Sequence, residues 1–567
     1  MSRYLDFKKA QCKDCYKCLR ECPVKAIDVK EHQAKIIDDR CILCGRCTHV
    51  CPQNAKKVHS DRDRVAALLQ AGDCVASVAP SFISSFGVED FSVFKLALGK
   101  LGFRDAEETA VGAKVVVGEY RKLLESGKYP NLITSSCPAV NRMIQLYYPK
   151  ALPFLAPVDS PMLAHAKILK QTHPGQKIVF IGPCIAKKQE ADESGLVDGA
   201  LTFEDLKEMF AEKGVHLDEI VNVRFAEGGE SNRARFFPIS RGIIKSFDKM
   251  PEGYEYVAVD GVKRCADVLG GIDKIKGVFL EINACEYACV NGPCSLTPEG
   301  GALSANAAIR RYVAKDLAAP SSKPLPSYEG IDFHRAYPRM RPGSFIVTER
   351  DIREILAKTG KMKPEDELNC GACGYNTCRE KAWAVANGYA DIDICLPYMR
   401  ERAESMSYEI IHNSPNGIVV ADNDLKIIDA NRKAGELFGF ETEEVIGKPM
   451  IDVMDPTEFL LAVESDKSRT MQFEIAKTGK HVDMTVLPLK GHKVVFGVLK
   501  DITASVDYNE KLDAMRIETL ETTDAVIKKQ MRVAQEIASL LGETTAETKV
   551  ALLKLKGVLS GKDEGRE

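Results

Sequence analysis

Short apolar runs alternate with amphipathic stretches over residues 59–345 of the chain. The apolar runs have the length of buried strands, and helical periodicity marks stretches such as 91–101 and 140–148. Strands that alternate with helices are typical of an α/β domain. The pattern therefore predicts an α/β domain as the largest folded part of the chain.

Three of these strand-like runs end immediately before a cysteine. The runs are 131–136, 177–183 and 277–284. The cysteines are Cys137, Cys184 and the pair Cys285 and Cys289. Because ligands collect outside the carboxyl ends of strands in α/β sheets, we expect the four thiolates to meet in one crevice. This pattern predicts an iron–sulfur site with buried surroundings, which indicates a catalytic metal centre.

The pattern changes in the last third of the chain. Residues 404–507 mix short strands and helices, and from Asp507 onward the sequence is helical and charged. A rough apolar stripe, typical of an amphipathic or coiled-coil helix, follows at Met515, Leu520, Ile527, Val533, Ile537 and Leu541. Upstream, the segment 318–327 is rich in Pro and Ser and is expected to be a surface connection.

Composition sets the broad class of protein. The chain has 567 residues, enough for several domains, and its 45% hydrophobic and 28% charged residues are ordinary for a globular protein. A net charge of -3 does not favour binding to nucleic acid or anionic lipid. No apolar run reaches the ~18 residues of a spanning helix, and the first residues lack a signal-peptide core. We expect no membrane association and a cytoplasmic location.

The 19 cysteines change this picture. Without an export signal they are better explained as metal ligands than as disulfides, and none follows Cys395. Two runs share the spacing C-x2-C-x2-C-x3-C-P, which is that of bacterial two-cluster ferredoxins, where the fourth cysteine serves the other cluster. We assign one [4Fe-4S] cluster to Cys12, Cys15, Cys18 and Cys51, and a second to Cys41, Cys44, Cys47 and Cys22. Zinc knuckles are the alternative, but they do not require the repeated proline.

A third group of cysteines follows the α/β region. Its spacing is C-x2-C-x4-C-x16-C, and its members are Cys370, Cys373, Cys378 and Cys395. Gly371 and Gly374 allow a tight loop around a cube. The group resembles a single-cluster iron–sulfur domain, with zinc as the alternative, and it would extend an electron path towards the carboxyl-terminal half.

Segments around the strand-end cysteines resemble the signature segments of [FeFe]-hydrogenases. They are Thr-Ser-Ser-Cys-Pro at 134–138, Gly-Pro-Cys-Ile-Ala-Lys-Lys-Gln-Glu at 182–190, Glu-Ile-Asn-Ala-Cys-Glu-Tyr-Ala-Cys at 281–289, and Val-Ala-Pro-Ser at 78–81. The resemblance implies that Cys137, Cys184 and Cys285 hold a [4Fe-4S] cube, and that Cys289 bridges it to a two-iron unit carrying CO, CN⁻ and a dithiolate.

The same resemblance implies roles for the residues around that unit. Lys187 would donate a charge-assisted hydrogen bond to one cyanide, and Ser81 with the neighbouring Ala79 and Pro80 would contact the other. Glu190 would orient Lys187. These types suit the chemistry, because cyanide is anionic and needs a donor in a dry pocket.

The sequence departs from efficient members of that family along the expected proton path. Ser136 stands where they have a cysteine, and a hydroxyl is a poorer proton relay than a thiol. The positions of a glutamate, a serine and an arginine farther along hold Val116, Ala156 and Leu123, and only Glu119 matches an outer carboxylate. The pocket differs as well, since Gly182 and Asn283 replace methionines and Met162 replaces a glutamine. Cys294 is either a substitute relay or a buried free cysteine, and Cys74 and Cys265 are expected in the core.

Residues 404–507 resemble a PAS domain. The resemblance rests on the stretches 411–422, 427–431, 437–440, 445–448 and 497–503. No cysteine is available for a flavin adduct, and His412, His481 and His492 do not single out a haem ligand, so the sequence leaves the PAS ligand unknown. A purely structural dimerisation module is the alternative.

These observations predict a multidomain protein with a carboxyl-terminal helix. Its parts are a ferredoxin-like two-cluster domain (1–58), an α/β H-cluster domain of two lobes (59–345), a small iron–sulfur domain (346–403), an α+β PAS domain (404–507) and a helical, coiled-coil signalling tail (508–567).

The expected function is that of a sensory, PAS-containing [FeFe]-hydrogenase. It would bind H2, oxidise it slowly and reversibly, and signal through its PAS domain under anaerobic conditions. A ferredoxin-dependent catalytic hydrogenase and a non-enzymatic iron–sulfur scaffold are the alternatives. Expected partners are an electron carrier such as ferredoxin, a downstream kinase or phosphatase, and a second copy of the chain in a homodimer.

Overall fold

The computed structural model forms two compact units, Met1–Met399 and Arg400–Glu567. It describes residues 3–8, 11–13, 15–30, 33–220, 233–318, 328–343, 346–489, 491, 493–541 and 545–559. Within these ranges, none of the helices combines the length and the hydrophobicity that crossing a membrane requires.

The first unit begins with a small domain of short strands and single-turn helices. These are β1 (Leu5–Phe7), α1 (Lys17–Glu21), β2 (Ile27–Lys30), β3 (Gln33–Ile36), α2 (Arg46–His49) and β4 (Lys56–Val58). Both strand pairs, β1 with β4 and β2 with β3, are antiparallel. Its two halves repeat their backbone geometry, since Tyr16 and Gly45 both precede a helix in the left-handed region, at φ 55° and 71°. This repetition follows the duplicated cysteine spacing.

The central domain contains two parallel sheets. Its first elements are α3 (Arg62–Ala71), β5 (Cys74–Val78), α4 (Phe82–Phe86), α5 (Phe91–Leu101), β6 (Asp105–Glu108), α6 (Ala110–Glu125), β7 (Asn131–Ile133), α7 (Pro138–Tyr147) and α8 (Pro161–Thr172). The others are β8 (Lys177–Gly182), α9 (Ile185–Ser194), β9 (Gly199–Thr202), α10 (Phe203–Glu212), α11 (Gly242–Lys245), β10 (Glu255–Asp260), α12 (Val262–Leu269), β11 (Val278–Asn283) and α13 (Gly301–Ala318).

The sheets have strand orders β6-β5-β8-β9 and β10-β11-β7, and each strand pair in them is parallel. Strands β5 and β11 are buried along their whole length, as is typical of strands covered by helices on both faces. The two sheets confirm the expected α/β domain of two lobes. The expected helix at 91–101 is present as α5, and the one at 140–148 begins two residues earlier, as α7, and ends at Tyr147.

The single-cluster domain contains α14 (Glu349–Lys358), α15 (Cys378–Ala386) and α16 (Leu396–His412). A capping box between Thr348 and Asp351 starts α14. The domain packs on the ferredoxin-like domain in one hydrophobic cluster that includes Leu19, Ile27 and Tyr375. Most of the predicted surface connection, residues 319–327, lies outside the described residues, as do the tail 560–567 and His492.

The second unit begins with an α+β domain. Its elements are β12 (Gly417–Asp422), β13 (Ile427–Ala430), α17 (Arg432–Phe438), α18 (Thr442–Val445), α19 (Thr457–Ser465), β14 (Arg469–Ile475), β15 (Lys480–Leu489) and β16 (Val494–Asp501). They form an antiparallel sheet of order β13-β12-β16-β15-β14, with α17, α18 and α19 packed on its apolar face. The long helix α20 (Thr503–Leu541) and α21 (Thr545–Leu559) follow, which confirms a helical carboxyl-terminal region.

One buried side chain connects the entry of this sheet to its first helix. Asn431 accepts hydrogen bonds from the backbone N–H groups of Ile418 (2.8 Å) and Ala434 (2.9 Å). Its amide donates to the carbonyl oxygens of Ile411 (2.8 Å) and Asn416 (2.9 Å). The Asn431 side chain thus satisfies four backbone groups and caps α17.

We predict that Asn431→Ala lowers the free energy of unfolding of this domain by roughly 2–4 kcal/mol, because it leaves buried backbone groups without partners. Hydrogen exchange should rise in β12 and β16, while the visible absorption of the clusters stays unchanged. The control is Asn413→Ala, at an exposed position. Equal exchange in the two variants would contradict this role of Asn431.

Candidate functional site

The cavity with the most cysteines lies at the carboxyl ends of both parallel sheets. Strands β7, β8 and β11 end two to four residues before Cys137, Cys184 and Cys285. These three thiols and that of Cys289 line the same cavity, which is otherwise mainly apolar. Cys137 and Cys184 also occupy the N-cap positions of α7 and α9. The structure therefore brings together the four cysteines that the sequence placed at strand ends.

Burial disfavours the thiolate form of these four cysteines. It raises the pKa of Cys184 to about 11 and raises the pKa values of Cys137, Cys285 and Cys289 as well. A buried thiolate needs a compensating positive charge, and iron is a suitable partner because it prefers soft sulfur ligands. The donor set and its depth therefore fit an iron–sulfur cluster.

Lys187 lines the cavity as part of a polar group of side chains. Its ammonium group donates to Ser160 Oγ (2.7 Å) and to Glu190 Oε2 (2.6 Å). Ser160 also donates to Glu190 Oε2 (2.8 Å), and Arg335 donates to Glu190 Oε1 (2.7 Å). Glu190, whose side chain is 3% exposed, thus holds Lys187 at the cavity wall.

The segment after β5 forms the opposite part of the wall. Ala79, Pro80 and Ser81 all line the cavity. The Ser81 hydroxyl is buried, and among the described residues it has no hydrogen-bond partner. A buried hydroxyl without a partner is costly, so Ser81 fits a polar ligand group inside the cavity. This observation, together with the cysteines and Lys187, shows that the residues present suit an H-cluster.

A second set of cysteines lies next to this cavity. Cys44 and Leu43 of the ferredoxin-like domain belong to the cavity wall itself. Cys41, Cys44, Cys47 and Cys22 interact electrostatically with one another, so the structure groups them as the sequence did. Cys12, Cys15, Cys18 and Cys51 line a separate pocket. The domain therefore places one four-cysteine group beside the central cavity and the other apart from it.

Gly45 lies at a close contact between the ferredoxin-like domain and the hydrogenase domain. A Cβ atom on Gly45 would lie 2.3 Å from Pro293 Cβ. The equivalent residue of the first repeat, Tyr16, adopts a similar φ and carries a full side chain. The contact with Pro293 therefore restricts position 45 to glycine in addition to the backbone angle.

The third cysteine group forms a pocket of its own. Cys370, Cys373, Cys378 and Cys395 line it together with Lys361 and Lys381. Lys361 Nζ lies 3.6 Å from Cys395 Sγ. Cys373 and Cys22 belong to the same hydrophobic cluster, so this pocket adjoins the ferredoxin-like domain.

Comparison with known families agrees with this geometry. The model for "Iron only hydrogenase large subunit, C-terminal domain" matches residues 73–293, which include all four cysteines of the central cavity. The chain contains an iron-only hydrogenase domain. Further models match a 4Fe-4S dicluster domain at 11–55, an Fe-S cluster domain at 366–397 and a PAS fold at 406–502. The predicted combination of domains is therefore confirmed.

Individual relatives match about half of the chain. Iron hydrogenase 1 of Clostridium pasteurianum is 26% identical over 48% of this chain, and the match spans 60% of that protein. The periplasmic [Fe] hydrogenase large subunit of Nitratidesulfovibrio vulgaris is 28% identical over 51% of this chain and 85% of its own. A solved [FeFe]-hydrogenase from Chlamydomonas reinhardtii is 17% identical, with a TM-score of 0.38, over 50% of this chain and 99% of its own.

The structure places hydrocarbon side chains at the positions that the family resemblance assigns to proton relays. Val116 and Ala156 are fully buried and belong with Leu123 to one hydrophobic cluster. Glu119, the outer carboxylate, pairs with Lys122 through a 2.6 Å contact. No polar group at positions 116, 156 or 123 therefore links Glu119 to the cavity.

Ser136 lines the cavity and belongs to a polar group. Its Oγ lies 3.0 Å from the hydroxyl of Tyr120, which is fully buried. Tyr120 in turn contacts Ser135 Oγ (3.2 Å), and Ser135 donates to the Val158 carbonyl oxygen (2.8 Å). The Val158 carbonyl oxygen also accepts from the hydroxyl of the half-buried Tyr337 (2.9 Å), so the group links Ser136 to three other hydroxyls.

Some polar residues of the hydrogenase domain emerge only from the structure, among them Thr109 and the acid form expected for Glu281. Thr109 lines the cavity directly after β6, and no motif marks it. Glu281 lies within the third signature segment, and its burial raises its pKa to about 8. In the sequence, Glu281 is the single charged residue of an apolar strand-like run, and this pattern could have predicted a buried acid.

The remaining cysteines are core residues. Cys74, Cys265 and Cys294 are all fully buried. Burial raises the pKa of Cys294 well above its ordinary value. Of the two alternatives that the sequence left open for Cys294, its burial favours the buried free cysteine.

We predict that Gly45→Ala lowers the free energy of unfolding by roughly 1–3 kcal/mol more than a control, because the methyl group must displace Pro293. The control is Gly87→Ala, at a similar φ of 66° with no atom within 4 Å of the added Cβ. For both variants, the measurement is the denaturant concentration at which half of the visible absorption of the clusters is lost. Equal losses would show that backbone strain alone selects glycine at position 45.

Proposed function

We propose that this protein is an [FeFe]-hydrogenase of sensory type, which binds H2 and oxidises it slowly and reversibly to protons and electrons. The observation that carries this proposal is the cavity itself, where four cysteines, Lys187 and the unpartnered hydroxyl of Ser81 converge. A scaffold for an ordinary cluster needs only the thiols. The additional donors suit anionic and polar ligands on a second metal unit.

Residues of this chain would hold the cofactor as the family resemblance implies. Cys137, Cys184 and Cys285 would bind a cube, and Cys289 would bridge it to a two-iron unit carrying CO, CN⁻ and a dithiolate. When bound, that unit supplies the site at which H2 is split or formed. Lys187, oriented by Glu190, would donate to one cyanide, while Ser81 and the backbone beside Ala79 and Pro80 would contact the other.

Slow turnover follows from the proton side of the reaction. The side chains of Val116 and Ala156 cannot accept or release a proton, so they interrupt the proton path that the resemblance implies. General acid–base steps contribute about 10²–10⁴-fold to rates, so the loss of a well-matched relay is expected to limit turnover.

Electrons would pass through the ferredoxin-like domain. The cluster at Cys41, Cys44, Cys47 and Cys22 would take them from the central cube, since Cys44 belongs to the cavity wall. From there the path would branch, to the cluster at Cys12, Cys15, Cys18 and Cys51 or to the one at Cys370, Cys373, Cys378 and Cys395. The first branch suits an external carrier such as ferredoxin.

The second branch suits signalling. Cys395, the last cluster ligand, immediately precedes α16, which continues to His412 at the beginning of the PAS fold. A change in cluster charge near buried groups is worth on the order of a few kcal/mol, enough to bias the start of this helix. The output would go to a downstream kinase or phosphatase, with the chain as a homodimer through its carboxyl-terminal helix.

Infrared spectroscopy and iron analysis test the cofactor. Matured protein should show bands of iron-bound CO and CN⁻ and about 18 iron atoms per chain, from four cubes and one two-iron unit. Protein made without the maturation enzymes should hold about 16 and be inactive. Matured protein without these bands would be the non-enzymatic scaffold instead.

Hydrogen exchange tests the sensor. We expect H2, compared with argon, to change the protection of residues 404–541 in matured protein. The change should vanish in Cys373→Ser, which removes a ligand of the third cluster, if the second branch carries the signal. Equal protection under both gases would favour the ferredoxin-dependent catalytic hydrogenase, with PAS as a passive dimer module.

A further inference from the structure

A continuous chain of polar side chains that does not include Ser136 connects the cysteine-lined cavity to solvent. Thr109 lines the cavity, and its Oγ1 lies 2.8 Å from Ser77 Oγ. Ser77 Oγ lies 2.8 Å from His165 Nδ1. All three residues are buried, with His165 fully so, and this polar chain crosses the otherwise apolar lobe around β5.

The chain continues from the histidine to the surface. His165 Nε2 lies 3.3 Å from Glu107 Oε2, and Glu107 Oε1 lies 3.2 Å from His173 Nε2. The side chains of Glu107 and His173 are 25% and 21% exposed, so both reach solvent. Asp105 adds a second carboxylate at this outlet, where Lys95 pairs with it at 2.7 Å.

We propose that Thr109, Ser77, His165 and Glu107, with His173 at the outlet, carry protons between the cavity and solvent in place of the interrupted family path. This inference rests on the proposed hydrogenase function, because only a reaction that takes up or releases protons in the cavity needs such a relay.

The charge of Glu107 sets the direction of the hydrogen bonds. Burial opposes ionisation of Glu107, but its bonds and charge interactions with His165 and His173 outweigh burial and lower its pKa to about 2. An ionised carboxylate only accepts, so His165 donates from Nε2 and, when neutral, accepts at Nδ1 from the Ser77 hydroxyl. The Ser77 oxygen then accepts from the Thr109 hydroxyl.

In this arrangement a single proton can cross without leaving charge on the hydroxyls. A proton that arrives at Thr109 Oγ1 displaces the proton of Thr109 to Ser77, that of Ser77 to His165 Nδ1, and that of His165 Nε2 to Glu107. One proton enters, one reaches the carboxylate, and His173 or water removes it. Rotation of the hydroxyls and of the His165 ring, which returns an N–H group towards Glu107, resets the chain for the next proton.

Close packing of two helices holds the histidine in place. A Cβ atom on Gly112 of α6 would lie 2.3 Å from the Pro161 carbonyl oxygen and 2.6 Å from the His165 backbone nitrogen. The backbones of α6 and α8 therefore touch beside His165. This contact fixes the position of the His165 backbone beside Ser77 and Glu107.

The first test removes the inner hydroxyl. Thr109→Val keeps the shape of the side chain but cannot carry a proton, whereas Thr109→Ser keeps the hydroxyl. In matured protein we expect H2 oxidation to fall roughly 10- to 100-fold in Thr109→Val and to stay within about twofold in Thr109→Ser. The solvent deuterium isotope effect should rise only in Thr109→Val, while its infrared bands match those of the unaltered protein.

The second test examines the outlet. Glu107→Gln should lower the rate by a similar factor, since an amide does not take up the proton from His165. Glu119→Gln, which changes the outer carboxylate at the usual family position, should leave the rate unchanged. A loss in Glu119→Gln with none in Glu107→Gln would assign proton transfer to the usual side and overturn the proposal.

A third readout does not use activity. In protein made without the two-iron unit, nitrogen-15 NMR of the labelled histidines should show Nδ1 of His165 as an acceptor, and Ser77→Ala should shift it. An unchanged His165 spectrum in Ser77→Ala would overturn the relay. Intact CO and CN⁻ bands with an unaltered rate in Thr109→Val would overturn the relay alone, whereas missing bands in the unaltered protein would overturn the hydrogenase function.

Discussion

The burial of four thiols at the ends of parallel strands is the constraint on which the first unit depends. In an apolar cavity the thiolate form is disfavoured, so these side chains need a metal to compensate their charge. Two helix N-termini favour the thiolate form at the same place, because Cys137 precedes α7 and Cys184 precedes α9. Partial positive charge at those termini favours thiolate. The sheets, the helices and the cofactor thus stabilise one another.

The same apolar surroundings hinder proton transfer between the cavity and solvent. A dry cavity strengthens the interaction of Lys187 with Glu190 and with any anionic ligand, but it also separates the cavity from water. On the side of Ser136, Val116 and Ala156 complete the hydrophobic packing of that lobe. On the side of β5, Ser77 and His165 retain a polar path through an equally buried region. The path through Val116 and Ala156 and the path through Ser77 and His165 therefore differ in chemistry rather than in burial.

Electron transfer imposes the opposite demand, because it requires domains to approach closely but needs no polar path. Two glycines show how closely they approach. Gly45 lets the second ferredoxin repeat reach Pro293 of the hydrogenase domain. Gly374 lies so near Arg20 that an added Cβ would be 3.1 Å from its Cα. The ferredoxin-like domain thus makes close contacts with both other cluster domains of the first unit.

The sequence by itself determined the cysteine groups, the order of domains and the α/β character of the central one. It could do so because ligand spacing and strand periodicity are local: the two ferredoxin runs, the strands before Cys137, Cys184 and Cys285, and helix 91–101 each depend on neighbouring residues. Only the tertiary structure decided where a chain of polar side chains leads from the cavity to solvent. Ser77 and His165 are 88 positions apart and carry no shared pattern. They meet because β5 and α8 pack together, and a contact of single polar residues between distant elements leaves no periodic trace in a sequence.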